Sequence, residues 1–221
     1  MALRPARHTL VDLLAPFIGD GPFRRLGRCA YRILRRRDFF VADSGRRSVV
    51  FAGDSLIDQW ETLAPNFPGL KVANRGISGD LSSELLRRFR EDVLACRPRA
   101  VVLLIGTNDL AGGAPPAQVA ENLRILLGLA EDFEGGVPVV LCRLLPRTAV
   151  PGIFPDRIRE LNALIDGLPS KHRGVSVCDT FTVLAAADGG PRDGCFVDGL
   201  HLSPDGYRRL RDALAPHLSR Y

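Results

Sequence analysis

The sequence predicts an α/β protein, a three-layer α/β/α sandwich around a five-stranded parallel sheet in the flavodoxin-like order 2-1-3-4-5. Three observations carry this. From residue 48 onward, short β-rich runs alternate with helical patterns, the signature of strand–helix–strand crossovers. The runs are continuously apolar, as in strands buried on both faces. A chain of 221 residues, 46% of them hydrophobic, is long enough for one such domain and its core.

The elements follow in order. Val49-Val50-Phe51-Ala52 belongs to a first strand, Ser48–Ala52, which stops at Gly53 and gives way to a helical pattern over 55–63. Leu70–Ala73 is the second strand, and Asp80 with Glu84 marks the start of a helix over 81–95. Ala100–Ile105 is the third strand, followed by a helix over 116–132. Val137–Cys142 is the fourth, followed by a helix over 156–168. Val175–Cys178 is the fifth, and the last helix runs over 204–219.

Residues 1–47 stand apart from this domain. They hold eleven Arg, no Lys and four Asp, whereas residues 48–221 carry a net charge of −2. On a helix over 21–37, Phe23, Leu26, Ala30, Tyr31, Ile33 and Leu34 share one face and six of seven arginines take the other. Two readings are open: contact with an anionic membrane surface, or an accessory helix packed on the domain with its Arg side solvated. An Arg-rich targeting segment is a third, weakened by the scarcity of serine.

Composition excludes several classes. A nucleic-acid-binding domain would carry its charge on its main surface, and residues 48–221 do not. Five cysteines, an odd number without a C-x-x-C pair, fit neither a disulfide framework nor a zinc site and favour a reducing, cytoplasmic setting. No secretory signal is visible, and the longest apolar run, 100–105, is too short to span a bilayer. No cofactor or metal is called for, and oligomeric state is not legible.

In open parallel sheets, ligands bind beyond the C-terminal strand ends. Those ends carry Gly53-Asp54-Ser55-Leu56, then Asn74-Arg75-Gly76-Ile77-Ser78-Gly79-Asp80, then Gly106-Thr107-Asn108-Asp109. Past the fifth strand comes Asp198-Gly199-Leu200-His201. This is an inventory for acyl transfer. A serine needs a base to become nucleophilic. A histidine three residues after an aspartate can have its Nδ1–H held by that carboxylate, with Nε2 facing the serine. Asn108 and the N–H groups of Gly76 and Ser55 could meet an oxyanion. Ser55 alone would serve equally as a helix cap; the other segments favour the nucleophile. Asp54, Ser78 and Asp109 read as turn residues. His8, His172 and His217 read as surface residues.

These segments resemble the four blocks of the SGNH hydrolases, the GDSL esterases and lipases: "AGDSL", "NRGISGD", "GTND" and "DGLHLSPDGY". The resemblance covers about 48–217. It implies the SGNH fold, metal-free ester hydrolysis, a Ser55–His201–Asp198 triad and an oxyanion hole from Ser55, Gly76 and Asn108. "NRGISGD" with Trp60 is closest to bacterial carbohydrate O-acetylesterases, whereas "LLPR" at 144–147 is similar to platelet-activating-factor acetylhydrolases. The expected substrate is a small-molecule ester, either a short-chain ester of a carbohydrate or a lysophospholipid or other fatty acyl ester. A thioesterase using the same site, a non-catalytic protein keeping the fold, and a flavodoxin-like nucleotide binder are the alternatives. The last would want a Gly-rich phosphate loop, and "AGDSL" has one glycine.

Overall fold

The computed structural model describes residues 22–41, 46–148 and 155–221. The chain divides between Ser44 and Gly45 into two units, each taken here by itself.

The first unit contributes one described helix, α1 (Pro22–Val41). Along its second half Ile33 and Leu34 are exposed, at 69% and 45%, while Arg35 is buried at 7% and lies over the Phe39 ring at 5.0 Å. Here the aliphatic pair faces solvent, and an arginine is drawn in over an aromatic ring.

The second unit is a five-stranded, wholly parallel sheet in the order β2-β1-β3-β4-β5, as the alternation predicts. Its strands are β1 (Val49–Gly53), β2 (Val72–Gly76), β3 (Ala100–Leu104), β4 (Val139–Cys142) and β5 (Val175–Cys178). Side chains alternate between the faces, so each strand feeds two cores. Val50, Ala52, Val101, Leu103, Val139 and Leu141 pack on one side with Leu85, Phe89, Leu123 and Leu161. Val49, Phe51, Val102, Leu104, Val140 and Cys142 pack on the other with Leu56, Trp60, Leu210 and Leu214. The helices that cover the sheet are α4 (Ser82–Asp92), α6 (Pro116–Glu131), α7 (Pro155–Asp166) and α9 (Pro204–Leu218). No helix among the described residues is long and apolar enough to cross a membrane.

Three departures from the sequence reading matter for the rim. The helix expected over 55–63 is two short ones, α2 (Ser55–Asp58) and α3 (Leu63–Asn66). The second strand lies further along the chain than 70–73 and takes in Asn74, Arg75 and Gly76. Those polar residues tolerate a strand because their side chains find partners: Arg75 Nε donates to the Asp92 carbonyl at 3.0 Å, and Asn74 Nδ2 to the Ile57 carbonyl. Two one-turn helices were not anticipated, α5 (Thr107–Ala111) and α8 (Thr180–Leu184); five residues are too few to show a helical period.

Strands β1, β2 and β3 end level. Gly53 pairs with Gly76 on one side and Leu104 on the other. Chain leaving these three strands therefore surfaces at one place.

Candidate active site

Ser55 is the first residue of α2, directly after β1. Asp54, not Ser55, caps that helix: its Oδ1 accepts from the Leu56 N–H at 3.0 Å. The Ser55 hydroxyl is thus released from the capping role and points elsewhere. The turn is sharp because the core permits nothing wider. A Cβ on Gly53 would lie 2.1 Å from the Leu104 carbonyl oxygen, and one on Gly76 2.2 Å from the Asp58 nitrogen. Behind the turn, Trp60 packs against Phe51, Phe67 and Tyr207, stacked on Tyr207 at 5.1 Å. The Tyr207 hydroxyl donates to the Leu56 carbonyl at 3.0 Å. Helix α9, which follows His201, is in this way bonded to the helix that starts at Ser55.

The segment 198–201 is an irregular loop. Asp198 Oδ1 accepts from the N–H groups of Leu200 and His201, at 3.0 and 2.7 Å, while its Oδ2 lies 2.6 Å from His201 Nδ1. Gly199 supplies the positive φ, +75°, that closes the turn. The carboxylate claims the proton on Nδ1, which leaves Nε2 as an acceptor 3.0 Å from Ser55 Oγ. Asp198, His201 and Ser55 therefore form one continuous hydrogen-bonded line.

The remaining rim residues are less uniform. Asn108, in α5, donates from Nδ2 to the Asp80 carbonyl at 3.0 Å, which spends one of its two amide protons. Gly76 departs from expectation. Its N–H donates to Asn74 Oδ1 at 2.9 Å, and it sits inside β2, so it is not poised as an oxyanion donor. Three residues on, Gly79 is exposed at φ +78°, in a turn closed by the Asp80 N–H to the Ile77 carbonyl. Among the described residues its N–H has no acceptor, and neither has that of Ser55. The Gly79 turn is held by Asp58 Oδ2, which accepts from the Ser78 N–H and hydroxyl at 3.0 and 2.6 Å.

With this geometry in place, similarity to known proteins is informative. Residues 42–209 match the GDSL-like lipase/acylhydrolase family. Human platelet-activating factor acetylhydrolase IB subunit alpha1 is 32% identical over 187 residues, which cover 82% of this chain and 80% of that one. The chain belongs to the GDSL-like lipase/acylhydrolase family. A GDSL-like lipase from Bacteroides thetaiotaomicron superposes with a TM-score of 0.72 at 24% identity, covering 84% of this chain and 97% of its own. A mutant of an acetyl-xylooligosaccharide esterase from Geobacillus does so with a TM-score of 0.63 at 18% identity, covering 77% and 93%. These last two share the SGNH fold. The GDSL-like chain described here is an ester hydrolase.

Two carboxylates flank the GDSL serine in opposite electrostatic states. Asp54 is fully buried, and that desolvation, opposed by the Leu56 N–H and reinforced by Asp80 and Asp109, raises its carboxyl from 3.8 to about 7. At Asp198 partial burial pulls upward, but the His201 ring and the two backbone N–H groups outweigh it and hold the carboxylate down at about 2. Asp109 is raised by burial against the bonds it accepts from Ser82, whose N–H and hydroxyl reach it at 2.8 and 2.6 Å. It anchors the Asn108 segment to α4. Among the described residues, no group of three His, Cys, Asp or Glu side chains converges as a metal ion would require.

Two rim residues escaped the sequence reading of roles. Gly79 was passed over for Gly76 within one block, although a glycine in an irregular turn, not one continuing a strand, is the better sign of an outward N–H. Arg147, past the end of β4, is the second. Nothing in its sequence context singled it out, because the other strand ends carry charged residues too, Asp54, Arg75, Asp80 and Asp109.

Proposed function

We propose that Ser55 is the nucleophile of a serine esterase, with His201 its base and Asp198 the group that orients and stabilises the imidazolium. The hydrogen-bonded line Asp198–His201–Ser55, at 2.6 and 3.0 Å, is the observation that carries this. Ser55 Oγ attacks the ester carbonyl while Nε2 takes its proton. The same nitrogen then delivers that proton to the departing alcohol, and water repeats the sequence on the acyl-enzyme. The oxyanion falls to the N–H groups of Ser55 and Gly79 and the free amide proton of Asn108. A fluorophosphonate should label Ser55 and no other serine, and peptide mapping of the adduct tests this. Labelling that persists in Ser55→Ala ends the proposal.

The acyl group is proposed to be acetyl, because relatives of two different kinds carry acetyl substrates in their names, a platelet-activating factor acetylhydrolase subunit and an acetyl-xylooligosaccharide esterase. A p-nitrophenyl series from acetyl to palmitoyl reads this directly, with turnover falling as the chain lengthens. The exposed Ile33–Leu34 pair on an arginine-rich helix supports a second element, peripheral contact of α1 with anionic lipid. Full-length protein should co-sediment with anionic vesicles at low salt and be released at high salt; protein that stays in the supernatant at low salt rejects it. Four described cysteines, Cys96, Cys142, Cys178 and Cys195, are free and buried, which supports a cytoplasmic setting.

A further inference from the structure

We propose that Arg147 is the residue that selects the substrate's alcohol half, by binding an anionic group, phosphate or carboxylate, carried close to the scissile ester. This rests on the acetyl-esterase reading above and extends it to the other side of the bond.

The segment that carries Arg147 is rigidly placed. Asn162 takes up both backbone groups of Leu144, accepting from its N–H at 2.7 Å and donating to its carbonyl at 3.1 Å. One residue after the arginine, the Thr148 N–H donates to the Gly199 carbonyl at 3.0 Å. Gly199 lies between Asp198 and His201, so the arginine is strapped to the turn that presents the base. On its other side, Arg147 Nη1 donates to Thr107 Oγ at 3.3 Å, and Thr107 adjoins Asn108. The guanidinium therefore sits where the base turn meets the oxyanion segment.

Among the described residues its charge is not matched there. No carboxylate among them lies within ion-pairing distance of it, and the Thr107 hydroxyl is its one hydrogen-bond acceptor. Nε is buried without any acceptor. The two buried arginines of the sheet domain meet carboxylate or carbonyl oxygens, whereas the half-buried Arg147 and Arg192 each keep a buried Nε without an acceptor, and of these two Arg147 is the one on the rim. Arg88 meets Asp80 at 2.7 Å and Asp92 at 3.6 Å, and Arg75 bonds the Asp92 carbonyl. Asp54 and Asp198 act on Arg147 only at a distance, and partial burial depresses its basicity. A half-desolvated fork of five donors with one weak bond is poorly explained as a prop for Thr107. It is well explained as half of a charge-assisted pair whose acidic member arrives with the substrate.

The side of the ester follows from the chemistry. An acetyl group has no position for a charge. The strap also places Arg147 beside the His201 turn, and His201 protonates the leaving alcohol. The anion is therefore on the alcohol.

The test is a ratio. 4-Acetoxybenzoate and 4-acetoxybenzamide differ by one charge on the alcohol half, and acetylglycerol methyl phosphate and acetylglycerol differ by one anionic phosphodiester. Wild-type kcat/KM should favour the charged member of at least one pair by roughly ten- to hundredfold, the value of a hydrogen bond to a charged group. Which pair responds separates a phosphate from a carboxylate. Arg147→Gln should bring that ratio close to one, whatever happens to the absolute rates. Arg147→Lys should retain part of it, since a point charge replaces the fork. A wild-type ratio near one in both pairs overturns the proposal without any variant. So does a preference that survives in Arg147→Gln, or a substitution that lowers both members of a pair by the same factor. Loss of all turnover in Ser55→Ala reports on the esterase reading alone, so the two can fail separately.

Discussion

The two turns that bring Ser55 and His201 together are built in opposite ways. The Gly53–Ser55 turn is part of the core: Asp54 is fully buried, Ser55 is 5% exposed, and the aromatic cluster of Phe51, Trp60, Phe67 and Tyr207 lies beneath. The Asp198–His201 turn stands at the surface, with 53% of the Asp198 side chain exposed, and is held by its own short bonds and the Thr148 strap. Position is fixed by packing in one case and by local hydrogen bonds in the other. The Ser55 side, proposed to carry the nucleophile, should therefore fail by unfolding, and the His201 side, proposed to carry the base, by misplacement in a protein that still folds.

Removing the proposed base altogether gives the largest effect. His201→Ala should lower kcat by about 10⁴ or more, since triad members act as a unit. Its melting temperature should stay within a few degrees of wild type, because the side chain lost is a surface one. Steady-state kinetics beside a thermal melt would show it; a large fall in melting temperature would mean that the base turn is also structural.

A matched pair of glycine substitutions then probes the contrast itself. A Cβ on Gly53 would lie 2.1 Å from a backbone oxygen of β3, inside the sheet, and neither strand can yield. Gly53→Ala should destabilise by several kcal/mol, more than most single changes do, and leave little folded protein. A Cβ on Gly199 would lie 1.9 Å from Thr148 Oγ at a φ of +75°. There the neighbour is the exposed Thr148 side chain, not packed backbone, and it can turn aside. Gly199→Ala should stay folded but lose roughly 10²-fold in kcat, because a 1 Å displacement of a catalytic group has that cost. Equal melting temperatures for the two variants would break the comparison.

Asn108→Ala tests the element between the turns. Losing one oxyanion donor costs about 10²–10³ in kcat, and KM should change only a few fold because the charge it meets exists only in the transition state. A folded variant with near wild-type kcat would remove Asn108 from the site.

Legibility in the sequence follows the same division. The sheet order and the core strands were readable because five continuous apolar runs admit few arrangements. Ser55, Asn108, Asp198 and His201 were readable as candidates because each stands at a strand end or in a tight turn with chemistry its neighbours lack. Gly76 was misread because glycine serves two purposes in one block. At Gly76 it admits the backbone of α2, with Asp58 N where a side chain would begin; at Gly79 it gives a positive φ and an outward N–H. Composition does not distinguish these uses. The strand extending through Asn74–Gly76 was missed for a related reason: its polar side chains are satisfied by Ile57 and Asp92, sixteen or more residues away in the chain. That no described carboxylate pairs with Arg147 could not be seen at all, because it depends on which carboxylates are out of reach.

The smallest effect concerns the two carboxylates, and it isolates what burial does to the nucleophile turn. Asp198 titrates at about 2, so it stays ionised and constant across any working pH. Asp54, raised to about 7 from 3.8, binds a proton more tightly in the folded chain than in the unfolded one. Below pH 3.8 both states are protonated and the stability is fully present. As pH rises through the window from about 4 to about 7 the unfolded state gives up its proton first, and stability is progressively lost; above 7 the loss is complete and constant. Asp54→Asn keeps a carbonyl oxygen for the Leu56 N–H and cannot ionise. Its melting temperature relative to wild type should therefore climb between pH 4 and pH 7 and level off above, by an amount bounded at roughly 4 kcal/mol for a shift of about three pH units. At pH 4 the two proteins should melt nearly together. Thermal melts of both proteins at unit pH steps give the difference curve, in which every other titrating group cancels. A flat curve would mean that Asp54 is not buried as a neutral acid. A curve that fell with rising pH would mean that its charged form is stabilised, and the nucleophile turn would then resemble the Asp198–His201 turn instead of opposing it.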